Sequence, residues 1–412
     1  MSNLSPDIAA RPVNQHKPAV AVRTRIESID LLRGTVMIIM ALDHVRDYFY
    51  RDTFLHDPTD LTHTSIPLFF TRWITHFCAP VFIFLAGVSA CLYGIRKGRK
   101  ELAFFLLTRG VWLLFAELFL VGLGWSFNPT YPYFNLQVIW AIGCSMIALS
   151  ALIYLPLQII GIIGLLLIAG HNLLDNVHFP GNSPASIAWG LIHDGGYFHL
   201  GHTLLFIHYP ILPWIGVMAV GYCVGYLYRP RANAGNRISI LFCLGAGAIT
   251  LFIILRALNG YGDPARWSVQ PNAAYSLLSF LNVTKYPPSL LYVLMTLGPA
   301  MIFLALSESV RNTFTARIQI FGRVPMFYYL AHIYLIHLLA VVGVGISIHN
   351  WKIMFFIPSR LSLVSSLKGY GFGLLTTYLV WISVVLLLYP LCKRFDQYKR
   401  KHQSTKWWLS YF

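Results

Sequence analysis

Ten apolar segments, separated by charged or Pro/Gly-rich breaks, run along the chain at approximately 29–50, 67–94, 102–123, 136–154, 157–175, 204–227, 238–256, 286–306, 321–343 and 372–392. Most approach the length of about 20 residues that a helix needs to cross a bilayer. The pattern predicts an all-α fold, a polytopic transmembrane helix bundle of about ten spans. Only Pro156 breaks the run between the fourth and fifth segments, so nine or eleven spans stay open. No polar stretch is long enough for a folded soluble domain. The division expected is a flexible tail over 1–26, a transmembrane domain over 27–396 and a basic, aromatic tail over 397–412.

The first segment departs from the apolar pattern. Arg33 and His44 lie eleven residues apart in it, which at about 100° per residue places them within about 20° on one helix face. Asp30, Asp47 and Arg51 fall near the same stripe. A charged stripe on a membrane helix is costly unless it faces protein or a water-filled cavity, which makes it a candidate functional site. The alternative is a structural network of His-Asp and Arg-Asp pairs that holds helices together.

Composition agrees with a membrane protein, since 57% of residues are hydrophobic and 11% charged. With ten spans and the N-terminus inside, twenty of the 31 Lys and Arg residues fall in inner segments. That bias predicts both termini in the cytoplasm. The formal charge of +16 then reflects attraction to anionic lipid, with no nucleic-acid partner implied. Trp407, Trp408 and Tyr411 resemble an interfacial anchor. The six cysteines lie in or beside apolar segments without paired spacing, as buried small hydrophobes do. Histidines are biased outward, with His56, His63, His171, His178, His193, His199, His202 and His349 in outer loops. The long loop at 176–203 is therefore the expected rim of a polar vestibule, although loop histidines also simply solvate an aqueous surface.

His44 is the best candidate base, because imidazole is the group that most often moves protons near neutral pH. Asp47, one turn beyond it, is placed to orient His44, whereas Asp43 sits about 80° from Arg33 and is left to bind substrate. Arg33 lies about 16 Å below His44 along the helix. That separation suits a long phosphate-bearing donor, held at Arg33 by charge-assisted hydrogen bonds and reactive at His44. An i,i+3 pair with Asp30 is the plainer role for Arg33. Lys285 and Ser289 precede an apolar span and can offer donors to a carbonyl or phosphate at its N-terminus, or Lys285 can snorkel as an anchor. Arg109 and Glu117, about 80° apart on one helix, face the bundle. His332 and His337 follow Gly322-Arg-Val-Pro-Met-Phe near the expected cavity. His199-Leu-Gly-His202 lacks the carboxylates of a zinc site, and no metal is predicted.

These residues also carry a family resemblance. Arg-x10-His in the first helix resembles the signature of the acyltransferase-3 membrane enzymes. The longer pattern is more similar to bacterial relatives of the heparan-alpha-glucosaminide N-acetyltransferase catalytic domain. It comprises Ile29-Asp-Leu-Leu-Arg-Gly, Asp43-His-Val-Arg-Asp, Phe77-Cys-Ala-Pro-Val-Phe-Ile-Phe-Leu-Ala-Gly, Gln137-Val-Ile-Trp-Ala-Ile-Gly, Tyr209-Pro-Ile-Leu-Pro-Trp-Ile-Gly and Lys285-Tyr-Pro-Pro-Ser-Leu, spread over most of 27–405. The resemblance implies a bacterial inner-membrane enzyme that moves acetyl from cytoplasmic acetyl-CoA to an amino sugar or envelope glycan on the far side. In lysosomal members the position of His44 looks like Asn and the catalytic histidine follows about a dozen residues later, nearest here to His56. Both histidines are therefore candidates. Direct attack with His44 as base and a covalent acyl-histidine both stay open, as does a homo-oligomer. A polar small-molecule transporter or a non-catalytic membrane scaffold are the competing readings, although no inverted repeat is evident.

Overall fold

A computed structural model of the chain describes residues 25–53, 55–230, 232–355, 357, 366–367, 369–403 and 405–410. The expected N-terminal tail up to residue 24 and the anchor residue Tyr411 lie outside the described residues. Each of the ten expected segments contains a helix. Seven of the described helices are long and apolar enough to cross a membrane: Ile66–Lys97, Arg99–Ser126, Leu157–Leu174, Ala234–Leu258, Leu290–Ser307, Pro325–Ile348 and Leu374–His402. Val138–Leu152 and Leu212–Tyr228 are apolar but shorter. The first helix, α1 (Glu27–Phe49), is 23 residues long but too rich in charge to count by composition. The chain is an integral membrane protein with a mostly helical fold.

Local chemistry sets the helix ends. Glu27 and Asp30 occupy the first turn of α1 and Arg46 its last, each sign matching the helix dipole. The α2 helix (Ile66–Thr75) is capped by Ser65, whose hydroxyl accepts from the Leu68 N–H, and Pro67 sits in its first turn. It runs almost directly into α3 (Cys78–Lys97), and Gly98, at φ 88°, makes the sharp exit to the next helix. Asn312 and Thr315 form a reciprocal capping box on the short helix Thr313–Arg323. Pro325 then opens the helix Pro325–Ile348. The sequence pattern had left most of this short helix in the break between the eighth and ninth segments.

The sixth expected segment is corrected at its start, because 203–207 is a strand. Tyr133–Leu136 (β1), Gly196–Leu200 (β2) and Thr203–Ile207 (β3) form a small sheet in the order β1-β3-β2. β1 runs parallel and β2 antiparallel to β3, with Tyr133 opposite Leu204 and Tyr197 opposite Phe206. His208-Tyr-Pro-Ile separates this strand from the helix Leu212–Gly225, whose first turn holds Pro213, since Pro210 cannot continue the ladder and proline is tolerated at a helix start. Period-two alternation divides the sheet. Leu136, Phe198, Leu205 and Ile207 pack together in a satellite core, while Tyr133, Asn135, Tyr197, Leu204 and Phe206 face a cavity.

α1 runs through the middle of the bundle, packed on α2, α3 and the helices Leu290–Ser307, Thr313–Arg323, Pro325–Ile348 and Leu374–His402. One end of the bundle carries Arg33 and the other His44. Both ends of the described chain meet at the Arg33 end, where Asp396 takes Arg400 at 2.8 Å and Arg25 at 3.8 Å. The closest crossing that α1 makes is with Thr313–Arg323. A Cβ on Gly322 would collide with the Asp30 carbonyl oxygen, and one on Gly34 with the Ile318 carbonyl oxygen.

Gly322→Ala is therefore expected to destabilise the detergent-solubilised protein by about 1–3 kcal/mol, the usual cost of overpacking, read as a fall in thermal midpoint. Gly247→Ala, in a helix interior where the added Cβ meets no neighbouring segment within 4 Å, should not lower the midpoint.

Candidate functional site

The charges of α1 are held by neighbours on both sides. At the His44 end, Asp43 accepts from Arg72 Nη1 at 2.8 Å and from the Thr75 hydroxyl at 2.8 Å, and pairs with Arg46 Nη1 at 2.7 Å. Asp47 takes Arg46 Nη2 at 2.8 Å. Helix geometry brings Arg46 between the two acids, and α2 supplies Arg72. At the other end Arg33 donates to Asp30 at 3.3 Å, to the Gly322 carbonyl at 3.2 Å and to the Ser89 hydroxyl at 2.9 Å. The pairing of Arg33 with Asp30 is thus present, alongside two further partners.

His44 is 8% exposed. Its Nδ1 lies 2.8 Å from Nε2 of His332, whose own Nδ1 lies 2.7 Å from the Tyr328 carbonyl oxygen. The orienting partner seen at Nδ1 of His44 is therefore His332, on a distant helix, where the sequence pointed to Asp47. Trp125 and Tyr329 hold the His44 ring edge-on, at 5.0 Å and 6.1 Å between centroids.

A cavity of about 460 Å³ opens beside this ring. His44, Asp43, Asp47, His56 and Lys285 all line it, so five of the seven sequence candidates converge. Arg46, Arg72 and Asp57 add to its charged wall, and Tyr48, Tyr133, Tyr197, Phe206, Tyr209 and Tyr286 supply aromatic faces. The sheet, whose β2 lies within the expected vestibule loop, provides Tyr133, Tyr197 and Phe206. Asp, Arg and Lys side chains with aromatic rings are the chemistry of a site for a polar, ring-bearing molecule.

Arg33 lies in a second cavity of about 310 Å³, with Arg25, Arg96, Arg109, Arg323 and Lys399 on the same wall and no carboxylate among its described lining residues. Asp30 and Asp396 nearby are shared among Arg25, Arg33, Arg323 and Arg400, so the cations outnumber them. Met40, Phe82, Val138 and Tyr329 line both cavities. These four side chains are shared by the basic chamber and the chamber of His44 and lie between them.

Other candidates lie elsewhere. Ser289 is outside both lining sets: it donates to Asp263 at 2.7 Å and caps the following helix through the Tyr292 N–H. Glu117 accepts from the Gln137 and Trp140 N–H groups at 3.1 and 3.2 Å, serving the start of the helix Val138–Leu152. His337 spans the Gly124 and Met354 carbonyls. His56 stacks on His63 at 3.7 Å with ring planes 5° apart, and His63 Nδ1 bonds Asp60 at 2.8 Å. Hydrogen bonds from the Thr62 N–H, and then from His63 and the Thr62 hydroxyl, hold the Asp60 carboxyl down to about 2. The three residues are close enough for a metal, but rings stacked face to face direct their lone pairs in parallel planes, not at one ion. Arg72, which sequence reasoning did not single out, carried the same signal as Arg33, a cation inside an apolar segment.

A family model described as heparan-alpha-glucosaminide N-acetyltransferase, catalytic, matches residues 25–256, more than half of the chain. The match takes in α1, α2, α3 and the sheet, and ends before Lys285 and His332. No curated protein matches the chain.

The Asp43 clamp makes a stability prediction. Arg72→Leu leaves a largely buried carboxylate short of a partner and should cost about 3–5 kcal/mol. Adding Asp43→Leu to that variant should recover part of the loss, as judged by thermal unfolding of the single and double variants.

Proposed function

The chain belongs to the heparan-alpha-glucosaminide N-acetyltransferase catalytic family, and from that premise we propose that it transfers acetyl from acetyl-CoA to a polar acceptor across the bundle. The observation that carries this reading is the pair of chambers that share Met40, Phe82, Val138 and Tyr329 in their walls, and on this proposal those four side chains form the neck between them. The six cations of the smaller chamber suit the phosphates of CoA, because Arg binds phosphate through charge-assisted, bidentate hydrogen bonds. The pantetheine arm passes the neck and brings the thioester to His44, about 16 Å further along α1. The acceptor, an amino sugar or envelope glycan, occupies the larger chamber among its aromatic and carboxylate side chains.

His44 acts there as general base. As the acceptor nitrogen or oxygen attacks the thioester carbonyl, His44 takes its proton, the C–S bond breaks, and His44 passes that proton to the departing CoA sulfur, which leaves as the thiol. Lys285 is placed to polarise the carbonyl or to bind the acceptor, and Asp43 and Asp47 to hold acceptor hydroxyls through their remaining lone pairs. The basic residues concentrated at the Arg33 end, among them Arg96, Lys97, Arg99 and Lys100, support placing that end in the cytoplasm. That orientation, with a bacterial inner membrane, puts the acceptor outside. A path through the bundle also suits a transporter, which acetyl-CoA turnover separates from this reading.

Purified protein is expected to release free CoA from acetyl-CoA when amino sugars or glycans are supplied. His44→Ala should lower kcat by about 10²- to 10⁴-fold, and Arg33→Ala should mainly raise the KM for acetyl-CoA. Loss confined to His56→Ala would move the base to the loop. Absence of acceptor-dependent CoA release by folded wild-type protein would overturn the transferase reading.

The neck makes a separate prediction. Val138→Trp should block transfer while acetyl-CoA still binds the basic chamber, measured by calorimetry beside the turnover assay. Full turnover in a folded Val138→Trp variant would rule out the route through the neck.

A further inference from the structure

We propose that His332 is a positioning residue that locks His44 in the single tautomer able to accept a proton from the substrate. The inference rests on the acetyltransferase reading for its catalytic consequence, but its structural content stands on the hydrogen bonds alone.

The polarity of the chain of bonds follows from its last member. The Tyr328 carbonyl oxygen can only accept, so His332 Nδ1, 2.7 Å away, carries the hydrogen and donates. His332 is fully buried at 0% exposure, and its two ring nitrogens meet one carbonyl and one imidazole. An imidazolium there would be a buried charge with no carboxylate on either nitrogen, which is costly, so the ring is neutral and its Nε2 bare. The bare Nε2 is an acceptor, and Nδ1 of His44 at 2.8 Å must therefore donate to it. The two rings are 10° from coplanar with centroids 4.9 Å apart, as expected for imidazoles meeting edge to edge through an N–H···N bond. With its hydrogen on Nδ1, neutral His44 keeps an unprotonated Nε2 at the cavity it lines.

This is the part a carboxylate plays beside many catalytic histidines, here assigned to a second imidazole. A carboxylate at that point would compete with the ion pairs on the same helix. Asp43 and Asp47 are already held by Arg46 and Arg72, and His332 reaches His44 from the Pro325–Ile348 helix without disturbing them. When His44 Nε2 takes the substrate proton, its Nδ1–H already has an acceptor. No hydrogen bond at Nδ1 has to reorganise during the transfer.

The test compares His332→Leu with His332→Gln, whose carboxamide oxygen can still accept from His44 Nδ1. His332→Leu should lower kcat by about 10- to 100-fold, a fraction of the effect of a general base, with the KM for acetyl-CoA unchanged. His332→Gln should restore most of the rate. Equal losses in the two folded variants, or a rate for His332→Leu within about twofold of wild type, would overturn the positioning role. Nitrogen-15 NMR of histidine-labelled protein, with His44 identified by its loss in His44→Ala, gives a readout that needs no turnover. The wild type should show one protonated Nδ1 and one bare Nε2, and His332→Leu a mixture of tautomers. A His44 protonated at Nε2 in the wild type sinks the proposal even if the enzyme is active. A wild type with the expected tautomer but no CoA release sinks the transferase reading and leaves the tautomer lock standing.

Discussion

Charges on the central helix, in an environment that charges avoid, constrain the rest of the bundle. α1 carries Asp30, Arg33, Asp43, Arg46 and Asp47, and the charges that its own Arg46 does not match need partners brought from elsewhere. Arg72 comes from α2, the Gly322 carbonyl from the short helix Thr313–Arg323, Ser89 from α3, and Arg323 approaches Asp30 at 3.6 Å. These partners fix the rotation of α1 about its axis, because only one face can satisfy them all. The close crossing at Gly34 and Gly322 then permits the backbone contact at the Arg33 end.

Once α1 is fixed in rotation, the two chambers follow. His44 and Arg33 share a stripe, so a helix turned to present one to an internal cavity presents the other to a cavity further along the same side. The four side chains that both chambers share, Met40, Phe82, Val138 and Tyr329, come from four elements. These shared side chains stand between a strongly basic chamber and a charge-mixed, aromatic one, so two kinds of binding chemistry sit within a single bundle. The strands at the His44 end contribute by alternation alone, one face closing the satellite core and the other lining the larger chamber.

Much of the candidate site was legible in the sequence because intramembrane charge is rare enough to be informative. The stripe of Arg33 and His44 was readable from helical period, as was the convergence of Asp43 and Asp47 near His44. Lys285 was reached by motif alone, and its place on the same wall depends on how a distant segment packs. Ser289 stands at a helix start as expected, yet its hydroxyl is turned to Asp263 and to the backbone. His332 stood out only as a histidine in an apolar run. Its pairing with His44 spans 288 positions, and no periodicity reports on such a contact.

By itself the sequence determined that this is a membrane-embedded helical protein, where most of its long helices lie and which charged side chains fall inside apolar segments, because hydropathy and helical period are local properties. It also placed the family, since the motifs of the first 256 residues are linear patterns. Tertiary structure alone decided which nitrogen of His44 is occupied, which cations share the chamber of Arg33, and that a strand replaces the first turn of the sixth apolar segment. Those outcomes depend on which atoms of distant segments come within hydrogen-bonding range of one another, and long-range distances leave no trace in the order of residues along one chain.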